Sequence, residues 1–377
     1  MKILYCIASF SAQGGTEKVL STKASYLADH GYEVTILISD QHQKPFAYPL
    51  ADKIKIIDLK ITNKLKGKIK FIGFFQNIKT LKKLYKKEIG RIDPDVVIVL
   101  ERGYEDFIIP YILKDIPKIR EYHSSRKAFD ILENKLSLIQ KYKRKIVRKV
   151  YEYHYRKYNR LVLLTIKDQK NWKDFQNIVV IPNVIKFVET KSNGNVLMRP
   201  QNLISVGSMT TDQKGFSALI KIWSKIEERL PDWSLNIYGD GVYRKNYEKA
   251  IQELNLKNII LHGLTDQILN KYNESQIFVM TSNGEGLPMV MIEALSQGLP
   301  IVAYDCYCGP SDILVNDIGG FLIEFGNEDQ FIEKLEKMMV DEQLRLEKSQ
   351  EAYEVSKKYS VEEIMPMWFK LLNEVVR

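Results

Sequence analysis

The sequence predicts an α/β protein of two Rossmann-like domains, each a parallel sheet with helices on both faces. Three features carry this reading: an opening of strand, glycine loop, helix and strand; short apolar runs bounded by charges; and a restart of the same rhythm after a polar stretch in mid-chain.

The opening runs from a strand at Lys2 to Ser9 through Gly14-Gly15 into a helix from about Glu17 to His30. Gly31 stops that helix, and a second strand follows from Tyr32 to Ile38, completing a βαβ unit. Further runs at Asp95 to Leu100, Arg160 to Thr165 and Ile178 to Ile181 are short and continuous, as suits parallel strands buried on both faces. The polar stretch from Glu189 to Gln201 reads as the interdomain linker. Beyond it, strands are expected at Leu203 to Val206, Ser234 to Tyr238, Asn258 to Leu261, Gln276 to Met280 and Pro300 to Tyr304. Helical patterns such as Phe216 to Arg229 and Met289 to Gln297 separate them. The expected domains are 1–185 and 186–360, with an amphipathic C-terminal helix in 361–377 free to cross back to the first domain. A chain of 377 residues, 45% of them hydrophobic, is long enough for two such cores.

Bulk properties exclude several classes. No apolar run approaches the roughly 20 residues that cross a bilayer. The apolar start meets Gly14-Gly15 without a small-residue cleavage pattern, so it reads as a strand rather than a signal peptide. Cys6, Cys306 and Cys308 are odd in number and lack a Cys-x-x-Cys pair, which suits a reducing cytosol. The net charge of +9 favours anionic partners without choosing among phosphates, lipid headgroups and nucleic acid. The five histidines, at 30, 42, 123, 154 and 262, show no ligand spacing, so no metal site is expected.

The richest segment for chemistry is Thr281-Ser-Asn-Gly-Glu-Gly-Leu-Pro-Met-Val-Met-Ile-Glu293 and on to Pro300, which leaves a strand through a glycine-bearing loop and enters a helix at Pro288. Gly284 and Gly286 admit close backbone approach, and the free amides opening the helix suit a diphosphate. Glu285 precedes the helix, while Glu293 lies inside it, roughly 7 to 8 Å further along the axis. The two carboxylates therefore take different roles: one can face a sugar at the loop, and the other can accept hydrogen bonds from ribose hydroxyls deeper in the crevice.

Glu285 and Glu293, with seven residues between them inside Gly-Glu-Gly-Leu-Pro and Glu-Ala-Leu-Ser-Gln-Gly-Leu-Pro-Ile-Val-Ala, resemble the signature of glycosyltransferase family 4. The resemblance continues in order along the chain through Gly14-Gly15-Thr-Glu17, Val180-Ile-Pro-Asn183, Ser205-Val-Gly207 with Gln213-Lys214-Gly215, Ile237-Tyr-Gly-Asp-Gly241, Leu261-His-Gly263 and Gly309-Pro-Ser-Asp312. It implies the GT-B fold, two Rossmann-like domains facing across a cleft. It also implies that Glu293 binds the ribose, that Glu285 touches the donor sugar, that Gly286, Leu287 and Pro288 lie near the sugar and phosphates, and that Lys214 counters the diphosphate. Ser208 stands directly after Gly207 where the family commonly has an arginine. Lys214 and the helix terminus, or an arginine from elsewhere, are then left to hold the phosphates.

In the first half, Arg120-Glu-Tyr-His123-Ser-Ser follows a strand-like run and resembles the family's donor-sugar histidine. Gly14, Gly15 and Thr16 are expected over the phosphates or near the acceptor. Glu101 and Arg102, just past the strand ending at Leu100, belong to the same ligand-facing end. Asp93-Pro94-Asp95 has the Asp-x-Asp form of a metal site in the other large glycosyltransferase fold, but it precedes its strand, at the far edge of the domain.

The resemblance implies a retaining, metal-independent transfer of a hexose or N-acetylhexosamine from a nucleotide-sugar, a UDP-sugar favoured, to a saccharide or lipid-linked saccharide. No cofactor beyond that donor is expected. No carboxylate is an evident covalent nucleophile, so front-face transfer is expected, with the departing diphosphate oxygen helping to take the acceptor proton. Other readings are a GT-B enzyme such as a sugar-nucleotide epimerase or a glycogen-type synthase, and a non-catalytic basic protein of the scaffold or nucleic-acid-binding kind. Basic residues crowd Lys60 to Arg91 and Lys141 to Lys157, interleaved with Phe71, Ile72, Phe74, Phe75, Tyr142 and Ile146. That pattern suits interfacial helices on an anionic leaflet, and no nucleic-acid-reading motif accompanies it. The expected location is cytoplasmic, peripheral on the inner face of the cell membrane, within cell-surface polysaccharide or glycoconjugate synthesis.

Overall fold

The computed structural model describes residues 1–64, 72–100, 103–127, 137–186 and 195–376; side chains are described outside 63–64 and 72–76. Residue contacts divide the chain into two compact units. The first holds Met1–His123, Glu133–Lys186 and Val361–Arg377, and the second Ser124–Leu132 and Phe187–Ser360.

The first unit carries a seven-stranded parallel sheet: β1 (Lys2–Ile7), β2 (Glu33–Ile38), β3 (Lys55–Asp58), β4 (Val96–Val99), β5 (Lys118–Tyr122), β6 (Arg160–Leu163) and β7 (Ile178–Val180). Their order is β3-β2-β1-β4-β5-β6-β7. Because the order reverses direction between β1 and β4, the loops leaving these strands splay apart and open a crevice at their carboxyl ends. Leu4, Cys6, Val97, Val99, Leu161 and Leu163 form one buried face, packed with Leu81, Tyr85 and Trp172. The first helix, Gly15–Asp29, begins immediately after the glycine loop; Val19, Leu20, Ala24 and Leu27 are its buried stripe. The C-terminal helix, Val361–Val376, packs against that helix and β4, with Phe369 stacked 5.6 Å from Tyr32.

The second unit carries six parallel strands: β8 (Asn202–Val206), β9 (Ser234–Tyr238), β10 (Ile259–Gly263), β11 (Ile277–Met280), β12 (Ile301–Asp305) and β13 (Gly320–Glu324), ordered β10-β9-β8-β11-β12-β13. Its switch of direction lies between β8 and β11. Part of the expected linker, 189–194, lies outside the described residues, and the segment beyond it packs onto the unit: Val196 is fully buried in the short 3-10 turn Val196–Met198. The expected helix from Phe216 to Arg229 ends at Ser224, and the chain continues in turns. Buried Glu227 accepts the amides of Lys257 and Asn258 there, tying the turns to the start of β10.

Asp95 lies before β4 and accepts the Lys2 amide at 2.6 Å, and its own amide donates to the Lys2 carbonyl. It is a strand-edge tie. Among the described residues no group of three or more His, Cys, Asp or Glu side chains could hold a metal ion.

Candidate functional site

In the second unit the switch point brings two distant loops together. β8 ends at Val206 and is followed by Gly207 and exposed Ser208; β11 ends at Met280 and is followed by the glycine-bearing loop. Since β8 and β11 are hydrogen-bonded neighbours, both loops emerge side by side. Gly215, at φ +67°, lies so close to the end of β11 that a Cβ would meet the Thr281 carbonyl oxygen. Asn283 donates its amide to the Gln213 carbonyl at 2.8 Å, and the Gln213 side chain returns a bond to the Gly284 carbonyl at 2.9 Å. The Asn283 side chain donates to the Asp212 carbonyl at 2.7 Å.

This lattice presents Lys214 Nζ to Glu285 Oε1 at 2.7 Å, with Glu285 nearly buried and the Lys214 side chain one-fifth exposed. A cation and a carboxylate thus stand together at the mouth, the cation still reachable from solvent. Gly286, Leu287 and Pro288 lead from Glu285 into the helix Met289–Ser296. Pro288 is the residue before that helix, its ψ of 99° being extended, rather than the first helical residue the sequence suggested. Glu293 is separate from the Lys214 pair: it is buried, with the Tyr272 hydroxyl 3.5 Å from Oε2. Burial first, and Glu293 second, push the Tyr272 phenol well above its ordinary range, which keeps it a donor. Ser208 holds a local turn, its hydroxyl 3.0 Å from that of Thr210.

In the first unit, alternation along β5 decides the site. Arg120 faces the side of Asp106, donating from Nε to Oδ1 at 2.8 Å, while Glu121 and His123, two residues apart, share the opposite side. His123 Nε2 lies 3.2 Å from Glu121 Oε2, and Lys23 Nζ from the first helix lies 2.5 Å from the same oxygen. Gly14 precedes that helix with an extended backbone, and Gly15 is its exposed first residue. Burial pushes the His123 imidazole below its ordinary value, with Glu121 opposing the shift and Lys23 and Arg120 reinforcing it. Burial alone would raise the Glu121 carboxyl; Lys23 and His123 overcome it and hold the group at about 2.

The structure therefore assembles Gly207, Lys214, Glu285 and Gly286 within the second unit and places Glu293 deeper in it, while His123 lies buried beside the Glu121 carboxylate within the first, neither of its ring nitrogens completing a hydrogen bond. Glu101 and Arg102 lie outside the described residues. Sequence reading missed Gln213 and Asn283, whose bonds depend on the adjacency of β8 and β11, and missed the buried pair Lys23 and Glu121. For Lys23 a signal existed: it sits on the apolar stripe of Leu20, Ala24 and Leu27.

Residues 13–187 match the family model described as Glycosyltransferase Family 4, and residues 188–355 the model described as Glycosyl transferases group 1. The chain is 29% identical over 385 residues to the amylovoran biosynthesis glycosyltransferase AmsD of Erwinia amylovora, covering 99% of each. It is 24% identical over 381 residues to a Campylobacter jejuni protein named GalNAc-alpha-(1->4)-GalNAc-alpha-(1->3)-diNAcBac-PP-undecaprenol alpha-1,4-N-acetyl-D-galactosaminyltransferase, covering 100% of this chain and 99% of that one. Among solved structures it is similar to TarM of S. aureus in complex with fondaparinux, alpha-GlcNAc-glycerol and UDP, with a TM-score of 0.78, 16% identity and 99% of both chains covered.

Proposed function

We propose, from the premise that this chain belongs to glycosyltransferase family 4 and has the GT-B fold, that it is a retaining, metal-independent enzyme using a nucleotide-sugar donor, with a UDP-sugar favoured. The observation that carries the reading is the Lys214 and Glu285 pair at the β8/β11 switch point, joined to a helix that buries Glu293. A diphosphate against the Gly286 to Pro288 loop meets the Lys214 ammonium, a sugar attached to it meets Glu285, and a ribose on the other side meets Glu293. In the transfer the bond from the anomeric carbon to the diphosphate oxygen breaks. The acceptor oxygen bonds to that carbon on the same face, and the acceptor proton passes to the departing diphosphate. Lys214 balances charge developing on that leaving group, a task for which no metal is needed.

The named relatives act in amylovoran biosynthesis and on an undecaprenol-linked saccharide. Support for a lipid-linked acceptor and for cell-surface polysaccharide or glycoconjugate synthesis comes from those names and from the helix Leu138–Tyr155. That helix leaves Leu138 (84%), Ile139 (69%) and Tyr142 (67%) exposed, along with Ile146 and Val150, among Lys143, Arg144, Lys145 and Lys149. An apolar stripe edged with cations fits an anionic membrane surface. No helix of the described residues is long and apolar enough to cross a membrane.

A thermal-shift series with UDP-, GDP- and ADP-sugars tests the donor, because a true donor stabilises the fold by mass action. We expect a UDP-sugar to raise Tm most, Glu293→Ala to lose that rise while folding normally, and transfer to survive EDTA. Absence of any shift, or activity restored to the EDTA-treated enzyme only by Mn²⁺ or Mg²⁺, overturns the reading.

A further inference from the structure

We propose that Glu285 is the residue that admits nucleotide-sugars and turns away nucleoside triphosphates: its carboxylate stands where the group beyond the β-phosphate arrives, accepts hydroxyls there and repels a γ-phosphate. The inference rests on the reading of Lys214 and Glu285 as a donor site and adds to it the class of nucleotide that the site excludes.

A nucleotide-sugar and a nucleoside triphosphate share base, ribose and the first two phosphates, and differ only beyond the second. Whatever holds the diphosphate therefore holds both, and discrimination falls on the next side chain along. That order is set within one unit. Lys214 Nζ lies 2.7 Å from Glu285 Oε1, and Glu285 stands directly before the Gly286 to Pro288 turn into the helix Met289–Ser296. A group bonded to a diphosphate on Lys214 is brought against this carboxylate.

A hexose presents hydroxyls, which donate, whereas an ionised γ-phosphate presents oxygens that only accept. A carboxylate paired with an ammonium is itself acceptor-only, so it bonds the first and forms no hydrogen bond with the second. Charge acts in the same direction. Glu285 is 8% exposed, so water and salt screen little of its field. Cys306, just after β12, lies in that field: burial first, then Glu285 and Asp305, push its thiol up, and Lys214 pulls it back. Two carboxylates thus bear on this corner against the one ammonium of Lys214. Lys127 stands 4.8 Å over the ring of Tyr307, the next residue of the loop. Ser208, where the resemblance led one to expect an arginine, brings a hydroxyl 3.0 Å from that of Thr210 and no charge. An ammonium shared between Glu285 and a diphosphate leaves no cation over for a third phosphate.

The carboxylate is also kept from swinging aside with its loop. The bonds of Asn283 to the Gln213 and Asp212 carbonyls, and of Gln213 to the Gly284 carbonyl, fix the backbone on both sides of the pair. Behind the turn, Gly309 is packed so closely that a Cβ would strike Pro288 and the Gly286 carbonyl oxygen. A fixed acceptor aimed at the wrong ligand's acceptors is a means of selection as direct as a new contact to the right one.

The test is the binding of paired di- and triphosphates of uridine, guanosine and adenosine, measured by calorimetry in EDTA so that no metal ion masks phosphate charge. For the base that the parent prefers, the triphosphate should bind at least about tenfold more weakly than the diphosphate, and Glu285→Gln, which removes the charge at constant size, should narrow the gap by about tenfold. A second measurement uses Lys214→Met, which leaves the diphosphate facing an unpaired carboxylate and should weaken it strongly. The double variant Lys214→Met/Glu285→Gln should then bind the diphosphate more tightly than Lys214→Met does, a non-additivity that a merely structural pair would not give. A triphosphate bound by the parent as tightly as the diphosphate, a gap unchanged in Glu285→Gln, or a double variant no better than Lys214→Met overturns the proposal while leaving the donor site in place. A parent that binds none of the three diphosphates removes the donor reading, and the proposal with it.

Discussion

Gly207, the residue after β8, lies directly against the stem of Lys214: a Cβ there would lie 2.6 Å from Cγ and 2.9 Å from Cδ. The obstacle is a flexible side chain rather than backbone. Gly207→Ala should therefore displace the ammonium from Glu285 without unfolding the domain, and turnover should fall roughly ten- to a hundredfold, the scale of losing one electrostatic contact to the leaving group. Tm should change little. Gly239→Ala is the contrast, since its Cβ would lie 1.8 Å from the Gly207 carbonyl oxygen at a φ of +143°, and it should cost stability first. Steady-state kinetics beside thermal melts separate the two, and a fully active Gly207→Ala enzyme would remove Lys214 from the proposed role. At this scale the sequence drew attention to Lys214 and Glu285, each beside a glycine in a loop that follows a strand, because such loops have few structural reasons to be so composed, and to Glu293 through its spacing from Glu285. Lys23 stayed hidden because lysine is so regularly solvated that a buried one is recognised only by its place on an apolar stripe.

Secondary elements were legible where burial is two-sided. Strands β1, β4, β6, β8, β11 and β12 follow from apolar runs, with ends within two residues of those expected, and β9 has the expected bounds. β3 escaped because it is an edge strand with Lys55 and Ile56 exposed, and β13 because it opens on Gly319-Gly320. The C-terminal helix was legible as an amphipathic pattern, but its inner face was not seen to carry the Trp368 ring onto the buried cation of Lys23. Ile364, Met365, Trp368, Leu371 and Leu372 are its buried residues. Trp368→Ala should open a cavity and strip one face of Lys23, costing about 3 to 5 kcal/mol. Urea denaturation would measure this as a lower midpoint at similar slope. A change under about 1 kcal/mol, well short of the usual cost of truncating a buried tryptophan, would mean that the helix is not part of that core.

At the scale of the whole molecule, a net charge of +9 is unevenly distributed. In the helix Ile72–Ile92, Lys79, Lys82, Lys83, Lys86 and Lys87 are exposed beside buried Leu81, Tyr85 and Ile89, so over residues 77–92 the apolar side is committed to the core and the cations face outward. Of the apolar residues the sequence placed among those cations, Phe71 lies outside the described residues, as do the side chains of Ile72, Phe74 and Phe75. The helix Leu138–Tyr155 differs: its Ser137 capping box starts it firmly, yet its apolar stripe is exposed along most of its length. Water is a poor partner for such a stripe, and each flanking cation near an anionic leaflet contributes about 1 kcal/mol. The two helices should act together, one by the charge of its lysine row and the other by charge and insertion. The protein should then sediment with phosphatidylglycerol-containing vesicles, remain free of pure phosphatidylcholine vesicles, and release as salt shortens the reach of the surface potential below about 8 Å. Ile139→Ser with Tyr142→Ser should weaken binding at every salt concentration, whereas replacing Lys82, Lys83 and Lys86 with glutamine should weaken it mainly at low salt and flatten its dependence on salt. UDP affinity, read in the same preparations, controls for folding. Equal partition onto neutral and anionic vesicles, or attachment indifferent to salt, would leave the exposed stripe without a membrane role.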